Sequence, residues 1–309
     1  MMTTLEKRAW VAPLRALALV LTMLAGAGPG MAQSEDTAAA LRGRYTALRD
    51  QLANNQFKRP IHLDSIETPN ELKGNIYAVV DHPFATVSTA LSRLDRWCDI
   101  LILPINVKQC RTSSGVPASK LSVSIGKKGD EQAENAHRID LAYHVAARSA
   151  EYLQVLLNAD TGPLGTRDYR MMFESMPIDA HRSFIHLSYS YGYSSAARMA
   201  MKVYLSTIGS GKVGFSIVER KPDGQPVYVS NMRGVMERNT MRYYLAIDAY
   251  LNTLTAPSHE QVEQRLRNWF AATERYPLQL HEVELPEYLD MKRKEMRRQQ
   301  AEIDSPRPG

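Results

Sequence analysis

The sequence predicts an α+β fold in which a curved antiparallel β-sheet wraps around a long C-terminal helix, with extra helices at both ends. Two observations predict it. Between residues 120 and 193, apolar and polar residues alternate with a period of two, which is typical of strands with one dry face. Between residues 233 and 254, the apolar residues instead recur every three or four positions, which is typical of a helix with one buried stripe.

The first 32 residues predict a secretory signal peptide. Lys7, Arg8 and Arg15 flank or precede an apolar run that is short for a membrane span, and Gly30 and Ala32 are small residues before a cleavage site after Ala32. An uncleaved membrane anchor is the alternative. We therefore expect a mature protein in the periplasm or secreted. Its basic residues do not cluster along one face with interleaved aromatics, so no nucleic-acid partner is expected.

The only two cysteines, Cys98 and Cys110, predict a structural disulfide, because paired thiols are usual in an oxidising compartment. Pro104 and Asn106 lie midway between them and favour a turn. We therefore expect a β-hairpin centred on Pro104 that places the cysteines opposite each other. Two buried free thiols are the alternative. No CxxC motif is present and no His is near the cysteines, so no metal site is predicted.

The other elements follow from periodicity and turn signals. An N-terminal helix is predicted over 35–54, irregular or extended chain over 57–72, a strand over 74–84 and a helix over 85–97. Strands are predicted over 119–127, 138–146, 151–159, 165–177 and 182–193. A helix over 194–208 interrupts the sheet, which resumes with strands over 212–220 and 224–232. The long helix over 233–254 ends before Pro257, and two more helices cover 258–276 and 286–303.

This order of elements resembles the START-like superfamily of lipid-transfer and polyketide-cyclase-like domains, which have the helix-grip fold. The resemblance rests on "GNIYAVVDHPFATVSTALSRLDRWCDIL", where a strand leads into a helix that ends at a Trp, on the strands of 138–193, and on the closing helix. The resemblance covers about residues 62–255. Together with the patterns above, it gives four parts: a signal peptide (1–32), an N-terminal helix and connector (33–61), a START-like helix-grip domain (62–255), and a C-terminal helical extension with a disordered end (256–309). The helix over 194–208 and the C-terminal extension depart from the family pattern.

The resemblance implies a cavity that encloses a hydrophobic small molecule, such as a lipid, between the sheet and the closing helix. Arg170 or Arg242 would orient a polar head. The predicted ligand-binding residues share an inward-facing position, and the same residues would serve equally well as plain core. They are Tyr143, Tyr169, Met171, Phe173, Ile185, Leu187, Tyr189, Tyr191, Tyr243 and Ile247.

The sequence contains no GxSxG, HExxH or Walker-type motif, so no catalytic residue and no cofactor are assigned. The expected function is an exported binding or carrier protein for a hydrophobic ligand. One alternative is an enzyme of the cyclase or hydrolase type that uses Asp81, His82 or His186. Another is an envelope module that docks a protein partner through its C-terminal helices. The basic stretch 291–298 predicts a solvated helix, with transient membrane-surface contact as the alternative.

Overall fold

The computed structural model describes residues 29–115, 118–129, 131–199, 201 and 211–304. Most of the predicted signal peptide and nearly all of the predicted disordered end lie outside these residues. The helix predicted over 194–208 also lies largely outside them, although residues 195–199 and 201 are helical. Within the described ranges, no helix is both long and apolar enough to cross a membrane.

An eight-stranded antiparallel sheet forms the body of the protein, with the strand order β1-β2-β8-β7-β6-β5-β4-β3. Its strands are β1 Ile61–Glu67, β2 Glu71–Val80, β3 Val107–Ser113, β4 Lys120–Ile125, β5 His137–Arg148, β6 Leu153–Thr161, β7 Thr166–Pro177 and β8 Ser183–Tyr193. The predicted meander is therefore confirmed. Strand β1 was predicted only as irregular or extended chain, and it pairs with β2 from Ile61 to Glu67.

The helices lie before, between and after these strands. They are α1 Pro29–Ala47, α2 Arg49–Ala53, α3 Phe84–Leu91, α4 Leu94–Leu101, α5 Asn231–Leu251, α6 Ser258–Thr273, α7 Pro277–Leu280 and α8 Leu285–Asp304. Helix α5 packs on one face of the sheet, which we call the inner face, against β1, β2 and β8, and it also contacts α4. A curved antiparallel sheet closed by one long helix is the helix-grip arrangement, and the predicted fold class is confirmed.

Gly74 on β2 allows α5 to approach the sheet closely. A Cβ at this position would overlap Thr240 Oγ1 and would lie 3.1 Å from Met236 Cγ, both on α5. The Thr240 hydroxyl is itself fixed by donating to the carbonyl of Met236 at 2.9 Å. A larger residue at 74 would therefore push the closing helix away from the sheet.

Two further strands do not resume the main sheet, and the sequence prediction is wrong there. Strands β9 Ile217–Arg220 and β10 Pro226–Tyr228 pair with each other in a separate two-stranded sheet. The cause is Glu237 on α5, whose buried carboxylate accepts hydrogen bonds from the backbone N–H of Phe215 at 2.7 Å and of Ser216 at 2.8 Å. These bonds hold the chain to the helix before it can reach the sheet.

The disulfide between Cys98 and Cys110 is present, with a Cα–Cα distance of 5.2 Å. The predicted hairpin around Pro104 is wrong, because Cys98 lies on α4 and only Cys110 lies on a strand, β3. The helix continues past Cys98 because its apolar residues lie on one helical face, where Trp97 is buried and donates to the carbonyl of Leu91 at 2.9 Å. The bridge therefore joins a helix to a strand.

A buried charge cluster holds helix α8 against the start of β3 and the segment before it. We call Lys108, Lys292 and Glu295 the Glu295 cluster. The ammonium groups lie 3.1 Å and 2.6 Å from the two oxygens of Glu295, and the three side chains are almost completely buried. The predicted solvated helix over 291–298 is therefore wrong at Lys292 and Glu295, since the fold buries them against chain that is distant in sequence.

Candidate functional site

A small cavity lies between the inner face of the sheet and α5. Its volume of about 30 Å³ is enough for about two water molecules. Tyr243 of α5 closes one side and Arg170 lies at the exposed rim. The wall residues are otherwise nearly all apolar or aromatic: Leu101, Val107, Val123, Ile125, Ile139, Leu141, Tyr169, Met171 and Tyr189.

Tyrosine rings form the polar part of this apolar wall. The rings of Tyr189 and Tyr243 meet edge to face at 5.2 Å, and Tyr169 stacks on Tyr191 at 5.3 Å. Burial raises the pKa of Tyr243 to about 12 and raises the pKa of Tyr189 well above its usual value. These hydroxyls therefore stay neutral at physiological pH, where they can donate hydrogen bonds to a ligand but cannot act as bases.

The ten predicted ligand-binding residues fall into two groups. Tyr169, Met171, Tyr189 and Tyr243 line the cavity. The others lie around it in the core or on the same face of the sheet: Tyr143, Phe173, Ile185, Leu187, Tyr191 and Ile247.

Tyr143 follows the cavity residues Ile139 and Leu141 along the same face of β5. Its hydroxyl is buried and has no hydrogen-bond partner in the part of the chain that the structure describes. A buried hydroxyl without a partner is unfavourable, so this group is available to a ligand that reaches it.

The sequence analysis missed the wall that α4, β3, β4 and β5 contribute. Val123, Ile125, Ile139 and Leu141 alternate with polar residues, and that pattern marked them as facing one side of the sheet. The pattern did not reveal that this side borders a cavity. Arg242, proposed to orient a polar head, instead bonds Glu282 at 2.6 Å and does not line the cavity.

The outer face of the sheet carries a buried network around His186. Its Nδ1 lies 2.8 Å from Glu174 Oε2, and its Nε2 lies 3.2 Å from Asn75 Oδ1. Tyr152 donates to the other oxygen of Glu174. Burial alone would raise the pKa of Glu174, but the hydrogen bonds from His186 and Tyr152 outweigh burial and lower it.

His186, which the enzyme alternative would use, is buried, with its ring stacked on Tyr77 at 4.2 Å. It lies on the opposite face from the tyrosines of the cavity, as the alternation along β8 predicts. Asp81 is exposed, and the carbonyl of His82 accepts a hydrogen bond from Ser183 at 2.7 Å. None of the three lines the cavity.

Among the described residues, no group of three or more His, Cys, Asp or Glu side chains is arranged to hold a metal ion.

Comparison with known proteins identifies likenesses of fold only. No family model matches the sequence, and no curated protein matches it. Solved structures that are similar include norcoclaurine synthase from Thalictrum flavum, at 12% identity over 48% of this chain and 82% of that chain, with a TM-score of 0.32.

Two bacterial structures are similar to the same degree. A START superfamily protein from Mycobacterium smegmatis is 12% identical over 60% of this chain and 99% of that chain, with a TM-score of 0.34. The Zhui aromatase/cyclase from Streptomyces sp. R1128 is 10% identical over 69% of this chain and 95% of that chain, with a TM-score of 0.30. Likeness this distant carries no argument about activity. The chain has a helix-grip fold, as its strand order and the position of α5 show.

Proposed function

We propose that the protein binds or carries a hydrophobic small molecule, such as a lipid, in the cavity between the sheet and α5. The observation that carries the proposal is the composition of the cavity wall, which is apolar except for neutral tyrosine hydroxyls and Arg170 at the rim. Removing apolar ligand surface from water contributes about 25 cal/mol per Å². The hydroxyls of Tyr189 and Tyr243 would orient the polar end of the ligand.

A ligand larger than about two water molecules requires the wall to move. Met171 and the rings of Tyr189 and Tyr243 are the groups whose rotation would enlarge the space. Met side chains adapt readily to different shapes because they are unbranched and have three rotatable bonds. The proposal therefore includes a cavity that expands as the ligand enters, and no chemical step.

Cavity filling tests this proposal. The protein is titrated with a fluorescent fatty acid, and Val123→Phe, which places a ring in the cavity, is compared with Leu156→Phe on the outer face of β6. We expect Val123→Phe to lower the probe affinity at least tenfold and Leu156→Phe to leave it unchanged. Equal probe affinity in both variants, or no uptake by the unmodified protein, would refute the proposal.

We also propose that the protein acts outside the cytoplasm, in the periplasm or secreted. The basic and apolar pattern of the first 32 residues supports this, and so does the Cys98–Cys110 disulfide, since such bonds persist in oxidising compartments. Mass measurement of the protein from fractionated bacterial cells tests it. A periplasmic or secreted species that begins at Gln33 is expected, and an intact chain in the cytoplasmic fraction would contradict it.

A further inference from the structure

A second cluster of buried charge lies between α5, the β4–β5 connection and the segment before α8. We call Lys128, Arg238, Arg242 and Glu282 the Glu282 cluster. Arg242 Nη2 and Lys128 Nζ approach the same oxygen, Oε1 of Glu282, at 2.6 Å and 2.7 Å. One carboxylate oxygen therefore accepts hydrogen bonds from two cations, and the third cation, Arg238, does not bond this carboxylate.

Arg238 is only 6% exposed, and among the described residues its guanidinium makes one hydrogen bond, from Nη1 to the carbonyl of Val213 at 3.1 Å. It forms no ion pair with a carboxylate among the described residues. The carboxylate of the neighbouring Glu237 accepts hydrogen bonds from Ser65, Phe215 and Ser216.

The electrostatics show that these cations are close enough to repel one another. Burial lowers the pKa of Arg238, and repulsion from Arg242 lowers it further. Burial also lowers the pKa of Lys128, with repulsion from Arg242 and Arg238 in the same direction. Attraction to Glu282 and Glu237 opposes these effects on Arg238 without outweighing them. The cluster therefore holds more cations than directly bonded carboxylates, which is unfavourable unless a further anion is bound.

We propose that Arg238, Arg242 and Lys128 bind an anionic oxygen group, a carboxylate or a phosphate, with Arg238 as the principal donor. Planar guanidinium groups donate two parallel hydrogen bonds to either group, and a lysine adds a point charge. Glu282 holds Arg242 and Lys128 in place and leaves the donors of Arg238 for the ligand. Lys128 is half exposed, so the site is open to solvent on that side.

The anion has two possible sources, a small free anion or the acidic head of an amphiphile. Helix α5 contributes Tyr243 to the cavity and the neighbouring Arg242 to the cluster. Ile125, the last residue of β4, lines the cavity three residues before Lys128 in sequence. Only the amphiphile source rests on the proposed function. The binding of a free anion stands without it.

Calorimetric titration with inorganic phosphate, at constant ionic strength set with sodium chloride, tests the site. We expect the unmodified protein to bind phosphate and Arg238→Gln to bind it at least tenfold more weakly. Arg267→Gln is the matched control, because Arg267 is exposed on α6 and bonds only Glu263. Dodecyl phosphate and dodecanol are titrated in parallel. Equal affinity of the unmodified protein and Arg238→Gln for both phosphates would overturn the proposal, as would no binding of either.

The two sources give different results. A free-anion site binds phosphate and dodecyl phosphate equally, and Val123→Phe changes neither affinity. An amphiphile site binds dodecyl phosphate more tightly, and Val123→Phe removes that gain. If the cavity does not bind ligands, dodecanol does not bind while phosphate still does. This result separates a failure of the proposed function from a failure of the anion site.

Melting temperatures with and without phosphate separate a binding role from a structural one. We expect phosphate to stabilise the unmodified protein and not Arg238→Gln. If Arg238 only supports the Val213 carbonyl, the variant melts lower by the same amount in both conditions, which would overturn the proposal. If Arg238→Gln does not fold, Lys128→Gln replaces it, and a severalfold loss of phosphate affinity is expected because its side chain is 51% exposed and tolerates change.

Discussion

The Glu295 cluster and the Glu282 cluster each place one carboxylate among several buried basic groups, and only the Glu295 cluster satisfies all of its cations. Lys108 donates to two backbone carbonyls and one oxygen of Glu295, and Lys292 does the same with the other oxygen. Each ammonium group thus uses all three of its donors. In the Glu282 cluster, Arg238 uses one of its five possible donors in a hydrogen bond to the part of the chain that the structure describes.

We therefore infer that the Glu295 cluster has a structural role and that the Glu282 cluster can bind a ligand. The closed cluster fixes α8 to the start of β3 and the segment before it, and it leaves no ammonium donor for a ligand. The open cluster leaves guanidinium donors of Arg238 that bond none of the described residues, at a place that solvent can reach. The comparison therefore predicts that disrupting the Glu295 cluster changes stability, whereas anions act on the Glu282 cluster.

The largest effect is expected from Glu295→Gln. It removes the negative charge that two buried ammonium groups share, and the loss in the free energy of unfolding should be roughly 3–5 kcal/mol. Chemical denaturation measures it, with Glu287→Gln, exposed on the same helix, as the control. A loss in the free energy of unfolding no larger than that of the control would mean that the Glu295 cluster does not stabilise the packing of α8.

Neither cluster could be found from the sequence, and the reason is physical. Period-two and period-three-to-four patterns report which face of an element is dry, and they correctly placed Tyr189 and Tyr243 on inward faces. Charge clusters join side chains that are far apart in the chain, such as Lys108 and Glu295, and no local pattern reports that pairing. Lys292 therefore looked like an ordinary solvated residue in a charged helix.

The same limit explains the error at the cysteines. The pairing of Cys98 with Cys110 follows from compartment and number, which the sequence shows. The conformation between them depends on where the apolar face of α4 packs, because Pro104 and Asn106 are compatible with a turn after a helix as well as with a hairpin. Tertiary burial of Trp97 decides between the two.

A second expected effect, of about 3 kcal/mol, comes from replacing both cysteines by serine. The backbone N–H of Cys110 donates to Gln299 of α8 at 2.9 Å, so the disulfide and the Glu295 cluster hold the same segment from two sides. We therefore expect the double-cysteine variant and Glu295→Gln to be non-additive when combined. Denaturation curves of the unmodified protein, the double-cysteine variant, Glu295→Gln and the combined variant, under oxidising conditions, measure the coupling. Strictly additive losses in the free energy of unfolding would show that the disulfide and the Glu295 cluster act independently.

A smaller loss, roughly 2 kcal/mol near pH 7, is expected for Glu282→Gln, because one of its partners, Lys128, is half exposed. Burial alone would raise the pKa of Glu282, but Arg242 and Lys128 outweigh burial and lower it. A carboxyl whose pKa is lower in the folded state contributes its stability above the unfolded value of about 4.3 and loses it as the pH falls through the folded value. The variant should therefore lose less stability than the unmodified protein between about pH 5 and pH 2. Parallel pH profiles of the two proteins would contradict this.

The smallest effect is expected from the exposed ion pair that joins α6 to α8. Arg293 donates to both oxygens of Glu263, at 3.1 Å and 2.6 Å, so its geometry is as good as that of the buried pairs. Water and salt screen exposed charges, and fixing two long side chains opposes the attraction. Arg293→Gln should therefore leave the denaturation midpoint unchanged within error, at low and at high salt. If Arg293→Gln destabilised the protein as much as Glu295→Gln, good ion-pair geometry alone would be enough to hold α8 in place. The burial and full hydrogen bonding of the Glu295 cluster would then not explain how this helix is held.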